Sequence, residues 1–287
     1  EYSNFCFYLK KYEEFDSYFK KNRSSNTSQI TLRYETDMGK QAQLDWKESI
    51  PFILSTGETI DVNIFVLLLS YSRYRVYKVS LTKTQDILFS FLDEAFETFG
   101  GVPEEIVTDN MKTVMDEART EYAEGKVNVR FRQFADDYGF HIHPCIAGRP
   151  RTKAKVEAPM KILDEIRAYN GKLNYCELNE LVKRINNRVN SQINQGTGRI
   201  PLMYFQKEKA FLHSLPASTI RKPYQIVNHT VKVNHSSMFQ YNGCQYSVPP
   251  EYVGKYVSLQ VYDGYIHVYY STDCITIHPL SKNKLNY

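Results

Sequence analysis

The order of strand-like and helical segments is the feature that most restricts what this chain can fold into. Three strand-like segments come first, at Ala42–Glu48, Ile60–Leu69 and Arg73–Leu81, separated by turns at Gly57 and Ser70–Ser72. Helical and strand-like segments then alternate. A helix opens at Thr82, with capping-box spacing to Gln85, and is followed by a strand at Ile106-Val107. A second helix through Phe131 and Tyr138 is followed by a strand at Phe140–Ile146. Strands joined by short turns pair antiparallel, whereas strands joined by a helix pair parallel. The order therefore predicts an α/β fold with a mixed sheet flanked by helices.

Segments on either side of this core divide the chain further. Residues 1–32 contain an aromatic stripe at helical spacing and a polar linker, and residues 33–170 hold the α/β core. Residues 171–216 predict a helical connector, with helices at Cys176–Val189 and Pro201–Leu212. Short β-rich segments fill residues 217–287, where Asp263-Gly264 between two alternating runs predicts a hairpin. We expect this last region to form a small antiparallel β-barrel.

Composition excludes several classes of protein. A length of 287 residues suits two domains, and no apolar run approaches the ~20 residues that a membrane-spanning helix needs. The 5 cysteines are odd in number and never spaced as C-x-x-C, which argues against a disulfide framework and a cysteine-rich zinc site. A net charge of +4 suits a nucleic-acid partner without requiring one. Because the start lacks both Met and a leader, we expect a piece of a longer cytoplasmic protein.

Three acidic residues stand in separate contexts. Asp45 interrupts an apolar strand, Asp109 follows the strand at Ile106-Val107, and Glu157 precedes Pro159 at the start of a helical pattern. Each has an ordinary alternative explanation: a solvent-facing strand residue, a turn residue and a charge that favours the helix dipole. Ligands of α/β proteins commonly bind beyond the carboxyl ends of parallel strands. Since the predicted fold can bring all three acids to one such edge, we interpret them as a carboxylate triad.

Carboxylate oxygens without His or Cys favour Mg²⁺ or Mn²⁺ over zinc. Two such ions in one site activate the attacking group and neutralise the leaving oxygen of an in-line displacement at phosphorus. The three acids are therefore candidate ligands for two ions per site and candidate catalytic residues for phosphoryl transfer.

Three sequence blocks carry a family resemblance. Gln43-Leu44-Asp45-Trp46, Thr108-Asp109-Asn110 and the block from Gly148 to Pro159 resemble the signature of DDE transposases and integrases, whose catalytic core is RNase H-like. The third block is similar in particular to IstA-type insertion-sequence transposases, which work with an AAA+ ATPase helper. The resemblance implies that Asp45, Asp109 and Glu157 are the metal ligands. Lys47 and Ala154 stand where the family usually has Gly.

Basic residues near the acids are candidate DNA contacts. Four cations lie within seven residues beside Glu157, and we interpret them as phosphate contacts: Arg149, Arg151, Lys153 and Lys155. Five further cations can extend that surface, although a plain surface charge is the simpler explanation for each: Lys112, Arg130, Arg132, Arg184 and Arg188. His141, His143 and Cys145 share one strand face, but without a fourth ligand nearby a packed edge strand is favoured over a metal site.

The leading hypothesis is a DNA transposase fragment that cleaves at transposon ends and transfers the freed 3′-hydroxyl ends into target DNA. The resemblance implies transposon-end and target DNA, an AAA+ helper ATPase and further copies of the chain, as a dimer or tetramer on DNA, in the nucleoid of a bacterial cell. Two alternatives stay open: a catalytically inactive DNA-binding or regulatory module with the same fold, and an RNase H-like nuclease that does not transpose. A strand-joining assay with an Asp109→Asn variant separates them.

Overall fold

A five-stranded mixed sheet forms the centre of the structure, a computed structural model that describes residues 36–146, 160, 163–262, 264–271 and 273–281. All of these residues belong to one compact unit, Thr36–Tyr287. The predicted helical segment in residues 1–32 lies outside the described residues. The strands of the sheet are β1 (Gln41–Ile53), β2 (Thr59–Leu69), β3 (Arg75–Ser80), β4 (Glu105–Thr108) and β7 (His141–Pro144).

The pairing of these strands confirms the predicted mixed sheet. The spatial order is β3-β2-β1-β4-β7. The first three strands pair antiparallel through short turns, whereas β4 pairs parallel with β1 and β7 pairs parallel with β4. Long connections that contain helices precede both parallel strands, as such pairing requires. A short antiparallel ribbon, which the sequence did not predict, consists of β5 (Met115–Glu117) and β6 (Lys126–Val127).

Two helices cover one face of the sheet. They are α1 (Gln85–Phe99) and α2 (Val129–Tyr138), and each ends at a glycine with positive φ, Gly100 or Gly139. The predicted start of α1 at Thr82 is wrong: the side chain that caps the helix is Thr84, which accepts a hydrogen bond from the Ile87 N–H. Thr82 and Thr84 are both followed by polar residues, and only the backbone conformation decides which of them caps.

The opposite face of the sheet packs against helices of the connector. Val62, Ile64, Val66 and Leu68 of β2 point to this face and share a core with Leu178, Leu181 and Ile185. The predicted helix at Pro201–Leu212 ends early and tightens into a 3₁₀ turn. The helical elements of this region are a 3₁₀ helix (Leu163–Tyr169), α3 (Tyr175–Ser191), α4 (Pro201–Glu208), a 3₁₀ turn (Lys209–Phe211), α5 (Ser218–Arg221) and a 3₁₀ turn (Lys222–Tyr224).

The C-terminal region is antiparallel β structure, as predicted, around a core of its own that includes Phe239, Leu259 and Ile266. Its strands are β8 (Asn228–Lys232), β9 (Met238–Tyr241), β10 (Cys244–Ser247), β11 (Tyr256–Tyr262), β12 (Tyr265–Tyr270) and β13 (Asp273–Pro279), with a 3₁₀ turn at Pro250–Tyr252.

The predicted barrel closure is not seen in the part of the chain that the structure describes. Strands β13-β12-β11-β8 form one open sheet, and β9 pairs only with β10 in a separate hairpin. Alternating polarity marks strands, but closure depends on pairing between distant strands, which alternation does not encode. The sequence therefore identified five of the six strands, β8 to β12, but neither β13 nor the arrangement of the strands.

Candidate active site

Asp45 lies on β1, and Asp109 directly follows β4, the strand that pairs parallel with β1. The register of β1 with β4 pairs Gln43 with Val107 and ends with Leu44 opposite Thr108; the next residue in the sequence after each of this last pair is an aspartate. Neighbouring strands lie about 4.8 Å apart, which is close enough for two carboxylates to share a bound cation. The sheet thus brings the first two predicted acids side by side at the carboxyl end of β4.

Both aspartates are accessible although the strands that carry them are buried. Leu44 and Val107 are buried, whereas Asp45 is partly exposed and Asp109 is exposed. Oδ1 of Asp45 accepts the Trp46 N–H at 2.9 Å, and Oδ1 of Asp109 accepts the Asn110 N–H at 2.8 Å. These short local hydrogen bonds orient the carboxylates, and their exposure lets a hydrated cation or a phosphate approach them.

The third predicted acid, Glu157, lies outside the described residues. So do four predicted phosphate contacts: Arg149, Arg151, Lys153 and Lys155. Within residues 36–146 and the described parts beyond them, no three His, Cys, Asp or Glu side chains group to hold a metal ion. Asp45 and Asp109 are the two predicted acids that the structure describes, and no Cys or His is adjacent to either in the sequence. Accessible carboxylates of this kind suit a hard divalent cation.

Lys47 ties the strand that carries Asp45 to Met160 and to the 3₁₀ helix that contains Asp164. Nζ of Lys47 donates to the Met160 carbonyl oxygen at 3.0 Å and to Oδ1 of Asp164 at 2.6 Å. The hydrogen bond from Lys47 holds the pKa of Asp164 below its ordinary value. From sequence Lys47 was only a departure from the family pattern, because its partners lie 113 and 117 positions away.

The five further predicted cations differ in their surroundings. All of them are exposed: Lys112, Arg130, Arg132, Arg184 and Arg188. Arg130 pairs with Asp86 at 2.8 Å, and Nη2 of Arg188 donates to both carboxylate oxygens of Glu165 at 2.7 Å. Lys112 follows Asp109 by three positions, which places it nearest in sequence to the aspartates. A role of any of the five in DNA binding stays a prediction.

Two polar side chains to which sequence reasoning gave no role, Asn110 and Arg119, link the turn after Asp109 to the end of β7. The Asn110 side chain donates to the Cys145 carbonyl oxygen, and the Arg119 guanidinium donates to the Pro144 carbonyl oxygen, both at 2.9 Å. Asn110 belonged to a recognised block, whereas no motif marked Arg119. The strand that they contact, β7, is an edge strand, as predicted for the segment with His141 and His143.

Two known protein families match separate regions of this chain. The integrase core domain family matches residues 35–150, and the Mu transposase C-terminal domain family matches residues 220–286. No helix among the described residues is long and apolar enough to cross a membrane.

Relatives of this chain are transposases of insertion sequences. The chain is 53% identical over 286 residues to the transposase for insertion sequence element IS232 of Bacillus thuringiensis subsp. berliner, covering 99% of this chain and 66% of that protein. It is 34% identical over 256 residues to a putative transposase for IS5376 of Geobacillus stearothermophilus, covering 88% and 62% of the two chains. It is 28% identical over 280 residues to the IS21 transposase of Pseudomonas aeruginosa, covering 92% and 67%.

The chain thus spans slightly less than two thirds of the first two relatives, 66% and 62% of their lengths. The match to the IS232 transposase runs through both the sheet that carries Asp45 and Asp109 and the C-terminal strands, since it covers 99% of this chain. The chain therefore belongs to the DDE transposase and integrase superfamily and, within it, to the transposases of insertion sequences.

Proposed function

We propose that the protein to which this chain belongs cleaves DNA at the ends of an insertion sequence and joins the 3′-hydroxyl ends to target DNA. The observation that supports the proposal is the register of β1 with β4, whose last pair, Leu44 and Thr108, directly precedes Asp45 and Asp109 in the sequence. A pair of accessible carboxylates at this spacing is what a metal-dependent phosphoryl transferase needs.

Asp45, Asp109 and Glu157 would hold Mg²⁺ or Mn²⁺, two ions per site, and the ions supply charge neutralisation and activation of a water or a 3′-hydroxyl. The protein would provide position, since Leu44 and Thr108, the residues before Asp45 and Asp109, are buried in the sheet. No side chain has to act as a nucleophile, since phosphoryl transfer depends on alignment and charge.

Chain connectivity supports Glu157 as the third ligand. Glu157 precedes Met160 by three residues. Met160 is held by Lys47, which follows Asp45 by two positions on β1. The basic residues Arg149, Arg151, Lys153 and Lys155 would then contact DNA phosphates on the way into the site.

The partners follow from the family. The similarity to the IS21 transposase supports an AAA+ helper ATPase, and joining two ends of one element requires at least two copies of the chain on DNA. We place this assembly on chromosomal DNA in the bacterial cytoplasm. The predicted division into a core at 33–170, a connector at 171–216 and a C-terminal domain at 217–287 is part of the same proposal.

The decisive experiment is a strand-joining assay with the full-length protein and its helper. Labelled, pre-cleaved end DNA is incubated with target DNA and Mg²⁺, and wild type is compared with Asp109→Asn. The proposal expects joined product from wild type and a loss of more than about 100-fold in the variant, a larger loss than when only the orientation of a metal ligand is disturbed.

The matched control is Asp61→Asn, which removes an exposed aspartate of β2 that pairs with Pro51, away from β4. We expect joining at the wild-type rate from this variant. Absence of joining by wild type with its helper overturns the proposal. Hydrolysis of end DNA without joining assigns the chain to nucleases instead.

A further inference from the structure

A hydrogen-bonded bridge connects the turn after Asp109 to the exit of the neighbouring strand. The Asn110 side chain donates from Nδ2 to the Cys145 carbonyl oxygen at 2.9 Å and accepts the Arg119 N–H at Oδ1 at 2.7 Å. Its backbone N–H donates to the Asp109 carboxylate at 2.8 Å. One asparagine thus contacts the aspartate, the end of β7 and the connection between β5 and β6, in which Arg119 lies.

Arg119 completes the bridge. Its backbone holds the Asn110 amide, and its Nη1 donates to the Pro144 carbonyl oxygen at 2.9 Å. Pro144 is the register partner of Thr108, the residue before Asp109, and the Cys145 N–H donates to the Thr108 carbonyl oxygen at 2.9 Å. The side chains of Asn110 and Arg119 therefore hold the end of β7 where its pairing with β4 stops, next to Asp109.

Gly125 restricts the position of the Arg119 backbone. Gly125 has φ of +74°, and a Cβ at this position would lie 2.6 Å from the Glu117 carbonyl oxygen and 2.7 Å from the Arg119 nitrogen. Only glycine permits residue 125 to approach the backbone of Glu117 and Arg119 so closely. The contact with Gly125 thus restrains the Arg119 backbone, in addition to the hydrogen bond of the Arg119 side chain.

We propose that Asn110 and Arg119 are positioning residues for Asp109, which set the direction of its carboxylate for binding a divalent cation. The inference rests on the proposed function, since it gives Asp109 the role of a metal ligand. Groups that orient ligands through hydrogen bonds typically change metal affinity by about 10- to 100-fold when removed. The Asn110 amide donates to the Cys145 carbonyl oxygen from its nitrogen and accepts the Arg119 N–H at its oxygen. An ionised carboxylate has no donor, and a serine hydroxyl has only one oxygen, on a shorter side chain, for both partners.

The test measures Mn²⁺ binding by isothermal titration calorimetry with the full-length protein, and strand joining at increasing Mn²⁺ concentration. We expect the Mn²⁺ dissociation constant to rise about 10- to 100-fold in Asn110→Ser and by a smaller factor in Arg119→Met. Because saturating Mn²⁺ compensates for weak binding, joining by both variants should recover at high metal concentration.

The matched control is Asn190→Ser. The Asn190 side chain also bridges two elements, since it donates to the Arg75 carbonyl oxygen at 2.8 Å and accepts the Arg75 N–H at 3.1 Å, but it connects α3 to β3. Its loss should lower the unfolding temperature without changing the Mn²⁺ dissociation constant. Thermal unfolding of all variants separates weak metal binding from loss of structure, and Arg119→Met serves where Asn110→Ser unfolds.

Wild-type affinity for Mn²⁺ in both Asn110→Ser and Arg119→Met overturns the inference and leaves the proposed function intact. Failure of wild type to bind Mn²⁺ and to join DNA overturns the proposed function, and the inference with it. A shift of equal size in Asn190→Ser shows that loss of stability explains the effect, which also counts against a positioning role.

Discussion

Two kinds of carboxylate in this molecule have opposite environments. Asp93 of α1 is 2% exposed and accepts hydrogen bonds from Tyr138 Oη and Arg221 Nε at 2.6 Å and from Gln225 Nε2 at 2.7 Å. Asp45 and Asp109 are accessible, and the hydrogen bond described for each comes from the next backbone N–H. A buried carboxylate saturated with donors stabilises the fold, whereas an accessible pair at matching register is suited to bind ligands.

The donors around Asp93 show what a structural role requires. They come from α2, α5 and the chain leading to β8, so this one carboxylate joins the α/β core to the C-terminal region. Its hydrogen bond holds the pKa of Arg221 above the ordinary value, and burial together with the same carboxylate raises the pKa of Tyr138. All charges at this junction are therefore compensated within the protein, and none is left to act on a substrate.

The largest effect is expected from Asp93→Ala. Removing one partner of a buried ion pair typically costs about 3–5 kcal/mol of unfolding free energy, because the remaining charge stays buried without compensation. Arg221 keeps Glu97 at 2.5 Å, so the loss should fall toward the lower end of that range. Urea unfolding at pH 7 measures the difference. A loss below about 1 kcal/mol, typical of a surface pair, would remove the basis for the comparison.

Asp45→Asn should behave in the opposite way. Two neighbouring carboxylates repel each other, so neutralising one should leave the unfolding free energy unchanged or raise it. Strand joining should fall by more than about 100-fold, which corresponds to about 2.7 kcal/mol of transition-state stabilisation. Urea unfolding and the joining assay are run on the same preparation. A variant that loses stability as Asp93→Ala does would show that Asp45 is structural.

A buried histidine in the C-terminal region, His267, makes the stability of the protein depend on pH. His267 is 1% exposed and stacks on Tyr262 with ring centroids 4.1 Å apart. Burial lowers the pKa of His267 to about 3 from an ordinary 6.5. Below pH 6.5 the unfolded chain takes up a proton that the folded protein does not, so stability falls as the pH drops toward 3.

We therefore expect His267→Phe to lose less stability than wild type on acidification. Between pH 7 and pH 5 the difference should be about 2 kcal/mol, from 1.36 kcal/mol per pH unit below 6.5. Urea unfolding at both pH values measures it. His235→Asn, which changes an exposed histidine of the same region, should follow wild type. Equal acid sensitivity of wild type and His267→Phe contradicts the expectation.

The same contrast explains how far sequence alone reached. The strands beside Asp45 and Asp109 were predictable because apolar residues mark them, Leu44 and Trp46 in β1 and Ile106-Val107 in β4, and because helical crossovers dictate parallel pairing. The network of Asp93 was not, since its partners lie 45, 128 and 132 positions away and leave no local pattern. Strand β13 was missed because its residues are largely half-buried and its sequence mixes Asp, Thr and His with apolar residues. The role of Glu157 and the domain boundaries stay predictions.

The smallest effect concerns Lys47, whose environment lies between the two extremes. Its side chain is 20% exposed and pairs with Asp164, whereas Lys83 at 41% exposure pairs with Glu48 at a similar distance, 2.7 Å. We expect Lys47→Met to lower the unfolding free energy by less than about 1 kcal/mol, and Lys83→Met to change it hardly at all.

The Lys47 contribution should also depend on pH. The pKa of Asp164 is lowered in the folded protein, so the stability that Lys47 contributes is present above the unfolded pKa of Asp164 and is lost as Asp164 becomes protonated in acid. Urea unfolding of both variants at neutral and acid pH measures this. Equal costs for the two lysines, unchanged in acid, would show that the Lys47 contact is an ordinary surface pair with no part in holding Met160 beside β1.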